Sequence, residues 1–379
     1  MVYFIVILIT FGCYLAFETK RNNSSKKTFF YIIEFVLLVL VAGLRYRVGG
    51  DSLSYEDDYA TLDGLQEIRY YSFSTSQYGF LWYVFVAICQ LISSDWVVLQ
   101  VVHALIVNAA VFIFVKKHCH NPFLAIFLYT IFNYLYFSTE IIRASLAVSI
   151  FLLWGYDALL KKQWVKYFVI VVIAANFHIE GAAFALFPLA FVIGTARITE
   201  VRLIVFLIIS IVLINVFRID DMLYTLSAYS EAFDRRAGLY NVAVERTTNA
   251  IIVKFLSLVP IFICLWGTKF LNYDNHSLKL VRGLLILYAL GSVLTFYFPS
   301  FFSRIIDGIR IIYVIAFADI IGALYEKRKT SLGALVLFLA LFCGGYLQYR
   351  EQETWFKYYP YHSVVNPVRE PIREFWFTD

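Results

Sequence analysis

The sequence predicts an all-α, polytopic membrane protein with about 12 transmembrane helices and one further interfacial or re-entrant helix at 79–93. Three observations lead to this class. Of the 379 residues, 61% are hydrophobic and only 16% charged, whereas soluble domains run near 45–50% and about 25%. The apolar residues gather into runs close to the roughly 17–25 residues a helix needs to cross a bilayer. Short basic loops recur between those runs in the manner that sets membrane orientation. With 18 Gly and 7 Pro, collagen-like and Pro-rich disordered classes are excluded. Cys13, Cys89, Cys119, Cys264 and Cys343 stand singly, so neither a disulfide framework nor a cysteine metal site is expected.

The elements follow in order. The chain is apolar from Val2 with no basic segment ahead of it, so 2–17 reads as a first span and not as a cleaved signal. Lys20, Arg21, Lys26 and Lys27 separate it from a second span, 28–45. A long polar stretch, 45–95, carries the apolar segment 79–93 within it. Spans at 96–115, 122–137, 143–160, 165–178, 180–194 and 201–217 follow, punctuated by Lys116-Lys117, Lys161-Lys162 with Lys166, and Arg197 with Arg202. After the polar loop 218–249 come 250–268, 283–297, 304–325 and 331–347. Lys269, Lys279, Arg282 and the run Lys327-Arg328-Lys329 lie between them, and the tail 348–379 closes the chain.

Segment 79–93 decides the topology. If it crossed the membrane, the basic loops after it would fall outside. Laid along the membrane or re-entering, it leaves every short basic loop cytoplasmic and both termini outside, as the positive-inside rule requires. The expected organisation is a single transmembrane domain, 1–379, with external pieces at 45–95, 218–249 and 348–379.

On this map the inner loops hold 12 Lys and 5 Arg and the outer face 2 Lys and 13 Arg, with about 20 of the 27 acids also outside. Solvated surface ion pairs contribute little singly. The exchange of Lys for Arg is more informative, because the guanidinium fork suits phosphate and carboxylate and tolerates burial. It points to an anionic ligand handled on the outer face.

Four groups of residues stand out. In Arg45-Tyr46-Arg47-Val48-Gly49-Gly50-Asp51, followed by Tyr55, two arginines at i and i+2 point different ways and reach two parts of a polyanion. Gly49-Gly50 allows a tight turn, and Asp51 beside arginines suits a general base acting on a hydroxyl. The plain alternative is a snorkelling Arg pair followed by an N-cap Asp. Arg143 opens a span, with Glu140 three residues back as a candidate partner. His178 and Glu180 stand in a tight turn, as acid, base or cap. Arg304, Asp307 and Arg310 share one helix face, and Arg235-Arg236 lie in the 218–249 loop among tyrosines. His118-Cys119-His120 reads as a polar loop. Phosphate-loop, dinucleotide, nucleophile-elbow and zincin motifs are missing. Neither an inverted repeat nor a broken span pair suggests a transporter.

Arg47-Val48-Gly49-Gly50-Asp51 with Tyr55, Ile141-Ile142-Arg143-Ala144-Ser145-Leu146-Ala147, Phe177-His178, Arg304 opening a late span, and the Tyr-rich tail around Pro360 together resemble the EpsG family, bacterial polysaccharide polymerases of the Wzy type. The likeness runs over essentially the whole chain, with departures at Ala144, Glu180 and the Gly49-Gly50 pair. It implies a GT-C-like membrane glycosyltransferase for exopolysaccharide, capsule or O-antigen. Such an enzyme moves a growing glycan from undecaprenyl pyrophosphate to the next lipid-linked repeat unit on the outer leaflet of the bacterial cytoplasmic membrane. Asp51 is the first candidate base, with His178 or Glu180 second. Arg45, Arg47, Tyr55, Arg143, Arg235, Arg236, Arg304 and Arg310 are candidates for holding pyrophosphate or glycan without metal. Expected partners are the undecaprenyl-pyrophosphate-linked oligosaccharide, membrane lipid, a chain-length regulator and a flippase; no cofactor and no nucleic acid is expected. The rival readings are another lipid-linked glycosyltransferase or O-antigen ligase, a non-enzymatic flippase or exporter, and a structural envelope partner.

Overall fold

The computed structural model describes residues 2–19, 26–73, 76–195, 200–217, 248–295, 299–346 and 352–377. Among them every regular element is a helix and no strand occurs. Among the described residues, helix occupies most of every predicted span, with breaks near 133 and 187–188. Four helices are long and apolar enough to cross a membrane: Trp96–His118, Ile142–Leu160, Asn275–Thr295 and Ile306–Glu326. Shorter apolar helices occupy most of the other predicted spans. The second, 28–45, falls on Lys26–Gly43, whose first turn carries two lysines and whose middle carries Glu34.

The chain gathers into two compact units, Met1–Ala185 with Val314–Asp379, and Leu186–Tyr313. The first unit begins with α1 (Val2–Tyr14) and α2 (Lys26–Gly43). Three helices then fill the predicted external stretch: α3 (Gly50–Thr61), α4 (Gly64–Arg69) and α5 (Phe80–Ile92). Next come α6 (Trp96–His118), α7 (Pro122–Phe132), α8 (Ile142–Ile150), α9 (Tyr156–Leu160) and α10 (Trp164–Phe177). A π-helical stretch, Phe151–Gly155, joins α8 to α9. The second unit holds α11 (Leu189–Thr195), α12 (Glu200–Phe217), α13 (Thr248–Gly267) and α14 (Asn275–Thr295). Helix α15 (Pro299–Glu326) runs from the second unit into the first, which ends with α16 (Thr330–Ala340), α17 (Gln352–Tyr358) and α18 (Pro371–Phe377).

Within the first unit, α2 packs on α6, α1 on α7, α6 on α8, and α8 on α10. Tyrosine hydroxyls stitch these contacts, because a buried O–H must find an acceptor. Tyr31 donates to the Phe112 carbonyl at 2.8 Å and Tyr134 to that of Leu38 at 2.5 Å. Helix starts leave backbone N–H groups without intrahelical partners, and carboxylates supply the acceptors. Asp95 caps α6, and Asp63 caps α4. The start of α7 is held twice: Asp319 accepts from the backbones of His120 and Asn121, and Glu18 from those of Phe123 and Leu124. His118 and Lys117 lie on Asp157, and His120 and Cys119 on Asp319, so the polar loop is ion-paired and hydrogen-bonded. Within the second unit, α11 packs along α14, which also takes α13, and Asp274 caps α14.

The predicted segment 79–93 is α5. At about 1.5 Å per residue its 13 residues span roughly 20 Å, against a hydrocarbon core near 30 Å. It packs on α4.

Candidate active site

The Arg45–Asp51 stretch is shaped by its backbone. Arg47 has φ 49° and Gly49 φ 100°, ψ 137°. The second combination belongs to glycine. Gly49 also lies flush on Thr139: a Cβ added there would stand 2.7 Å from the Thr139 Cβ. The turn that results starts α3 at Gly50, with Gly49 as its N-cap and Asp51 in its first turn. Asp51 is therefore inside the helix and is not its cap.

Two contacts seat α3 on the 139–143 stretch. Gly50 N–H donates to Glu140 Oε1 at 2.8 Å, and Arg143 Nε donates to the Tyr55 hydroxyl at 2.7 Å. The pairing expected between Glu140 and Arg143 is thus replaced: Glu140 turns to the start of α3, where a carboxylate meets unpaired N–H groups and the positive end of the helix dipole. Burial pushes the Glu140 carboxyl above its ordinary range, and the Asp51 charge pushes in the same direction.

The three arginines of this region have different fates. Arg45 is buried, 2% exposed, and donates to the carbonyls of Val48 and Ala42. Arg47 takes two carboxylates, Glu374 at 2.6 and 2.8 Å through Nε and Nη2, and Glu56 at 2.8 Å through Nη1. The two side chains take different partners: Arg47 is engaged at all three nitrogens, whereas the Arg45 Nη2 is buried without a hydrogen-bond partner among the described residues. Arg143 is half-buried and lies over the Tyr78 ring, 4.2 Å from its centroid, with the Tyr55 ring at 5.4 Å. Its Nε is engaged, while its two terminal nitrogens have no partner among the described residues. The cation–π contacts and one hydrogen bond hold the guanidinium in place, with no hydrogen-bond partner on its terminal nitrogens among the described residues.

The walls of this cradle are aromatic. Tyr55 and Tyr78 each meet the buried Trp82 edge-on, at 5.5 and 6.5 Å between ring centroids. The Tyr78 hydroxyl donates to Asp58 Oδ2, and its own N–H donates to the Tyr83 hydroxyl. Asp51, Tyr55 and Asp58 recur at i, i+4 and i+7, so they line one face of α3. Asp51, exposed, stands one turn, about 6 Å of rise, from Tyr55 and the guanidinium it orients.

His178 and Glu180 form a turn of their own, with His178 Nδ1 3.2 Å from Glu180 Oε2. This turn abuts the Tyr78 loop: the Gly79 backbone lies so close to Asn176 that a Cβ would stand 2.2 Å from its carbonyl oxygen. Arg143, Tyr55, Tyr78, Asp51 and the His178 turn therefore converge in one part of the first unit. Arg310 lies in the second unit, 3.2 Å from the buried Asp307 three residues earlier. Arg304 occupies the second turn of α15, and its side chain lies outside the described residues, as do Arg235 and Arg236.

Sequence reasoning missed Tyr78, Asp58 and the C-terminal segment. The loop 44–50 is strapped by that segment: Tyr46 N–H donates to the His362 carbonyl, Gly49 N–H to that of Lys357, and Val364 N–H to that of Leu44, at 2.8–2.9 Å. Arg373 adds bonds to the carbonyls of Arg47, Pro360 and Phe356. Only the tyrosines around Pro360 had marked this tail.

A family model described as the EpsG family matches residues 27–363. No curated protein and no solved structure matches the chain.

Proposed function

Since the chain belongs to the EpsG family, the family of Wzy-type polysaccharide polymerases, we propose that it polymerises a cell-surface polysaccharide (exopolysaccharide, capsule or O-antigen) from repeat units carried on undecaprenyl pyrophosphate. The observation that carries the mechanism is Arg143. Of the three arginines beside Asp51, Arg143 is the half-buried one whose two terminal nitrogens have no hydrogen-bond partner among the described residues, and it sits over Tyr78 with its Nε on Tyr55.

In this reading the fork of Arg143 holds the pyrophosphate of the donor, whose negative charge grows as the sugar–phosphate bond breaks. Asp51 takes the proton of the acceptor hydroxyl. The acceptor oxygen bonds to the anomeric carbon, the bond from that carbon to the pyrophosphate oxygen breaks, and undecaprenyl pyrophosphate leaves with the electron pair. Tyr55 and Tyr78, half-buried, offer aromatic surface to a sugar, with the buried Trp82 backing them. His178 and Glu180 are second candidates for proton transfer. Arg304, Arg310, Arg235 and Arg236 are further candidates for the glycan or its phosphates. Arg45 and Arg47 act indirectly, by holding the loop that presents Asp51.

The proposed setting is the bacterial cytoplasmic membrane, with about 12 spanning helices, a GT-C-like arrangement, α5 along the membrane face, and the site and both termini outside. The short α5 and the Lys-rich loops assigned to the cytoplasm support this orientation. A chain-length regulator and a flippase are the proposed partners.

The test is reconstitution of the purified chain in liposomes with lipid-linked repeat units extracted from a host strain lacking it. A ladder of polymer is expected. Transfer of finished glycan without a ladder would replace polymerase by ligase. Transbilayer movement of the lipid without bond formation would replace it by a flippase.

A further inference from the structure

The N-terminus of α3 is tied to the C-terminal segment through a buried carboxyl group. Glu140, 5% exposed, accepts the Gly50 N–H at Oε1, and its Oε2 lies 3.7 Å from Lys357 Nζ. The Lys357 carbonyl accepts Gly49 N–H at 2.8 Å. The first two residues of the Gly49–Asp51 turn are therefore both referred to Lys357, one directly and one through Glu140. On one side of this knot is Asp51, next in sequence to Gly50. On the other is Arg143, three residues after Glu140.

The anchoring of the tail does not need this lysine. Arg373 makes three bonds to backbone carbonyls, and Glu374 grips Arg47 through two oxygens. The Lys357 ammonium is instead directed at the carboxyl group that spaces α3 from the 139–143 stretch. Removing a cation from a buried carboxyl leaves that group uncompensated, and it reorients or draws in water. Either change moves Gly50, and Asp51 with it.

Resting on the polymerase reading, we propose that Lys357 is a positioning residue for glycosyl transfer: acting through Glu140, it sets the separation of Asp51 from the Arg143 fork. Misplacing reacting groups by about 1 Å costs on the order of 10²-fold in rate, so a small shift of α3 reads out in turnover while substrate binding persists.

The experiment compares wild type, Lys357→Met, Lys357→Arg, Glu140→Gln and the Lys357→Met/Glu140→Gln double variant, purified and reconstituted with the same extracted repeat units. Lys357→Met is expected to lower kcat roughly 10- to 100-fold, with KM and the melting temperature near wild type. Lys357→Arg is expected to restore most of the rate. The double variant is expected to be no slower than the slower single one, because both act on one contact. Wild-type turnover in Lys357→Met overturns the proposal. So does a loss that arginine does not restore and that follows a lowered melting temperature, which makes Lys357 merely structural. If wild type itself makes no polymer, the polymerase reading fails, and the positional link is read separately. Maleimide labelling at Ser54→Cys on α3 should then be faster in the Lys357→Met background, and an unchanged rate overturns the link.

Discussion

Replacing Gly49 by alanine tests the geometry on which the site depends. At φ 100° and ψ 137° an L-residue is strained, and such conformations cost of order 1–3 kcal/mol. The new methyl meets the Thr139 Cβ at 2.7 Å and the Thr139 carbonyl oxygen at 2.9 Å, an overpacking worth about 1–3 kcal/mol. The stiffer unfolded chain offsets only about 0.4–1 kcal/mol. The net cost is roughly 2–5 kcal/mol, and it falls on the start of α3, where the chain relieves it by lifting Gly50 from Glu140. Gly49→Ala should therefore lower the melting temperature of the detergent-purified protein and abolish polymer in cells. Gly12→Ala is the control, because nothing lies within 4 Å of its Cβ, and it should leave both readouts unchanged. Adding Thr139→Gly to Gly49→Ala removes the side-chain clash but not the backbone strain, so it should recover part of the melting temperature. A Gly49→Ala protein with wild-type melting and normal polymer would refute the turn geometry and the reasoning built on it.

Asp51→Asn should reduce the initial polymerisation rate by roughly 10²- to 10⁴-fold at unchanged protein level; wild-type polymer from this variant removes Asp51 as the base. Arg143→Lys keeps the charge but loses the Tyr55 bond and the fork, and a loss of about 10²- to 10³-fold is expected in the reconstituted assay. Full activity there would speak against phosphate held on Arg143. Glu374→Ala leaves the Arg47 guanidinium with Glu56 alone, at a cost of about 1–3 kcal/mol; an unchanged melting curve would show that this contact contributes nothing. For Glu140 the sign follows from burial, which raises the native carboxyl above its unfolded value. Its contribution to stability is present below the unfolded carboxyl range and is lost as pH rises through the raised value. Glu140→Gln cannot ionise, so its melting temperature should fall less than that of wild type over that interval; parallel curves would contradict the shift.

The membrane helices were legible because their signal is local: a run of apolar residues has one reading wherever its neighbours lie. The small helices α3 and α4 were less visible, since their sequences are polar and their ends are set by Asp63, Glu140 and the Gly49 turn. At the site, the residue pattern singled out Asp51, Tyr55 and Arg143, which the fold brings near one another, but ranked Arg45, Arg47 and Arg143 alike. What separates them is distant in the chain. Glu374, which occupies Arg47, is 327 residues away, and Tyr78, which carries Arg143, lies in a loop with no periodicity of its own. A lone tyrosine among polar residues signals nothing until a guanidinium is seen to rest on it.

The strap between loop 44–50 and the C-terminal segment bears on how the protein is made. Loop 44–50 leaves the ribosome long before His362, Val364 and Arg373, whose backbone and side-chain bonds complete it. Through most of synthesis, then, Arg47 and the Gly49 turn lack these final partners. Until that segment is made, the start of α3 lacks the backbone bonds that set it. The bonds that fix the Gly49 turn are thus among the later ones to form, and a change anywhere in 357–373 reaches the start of α3.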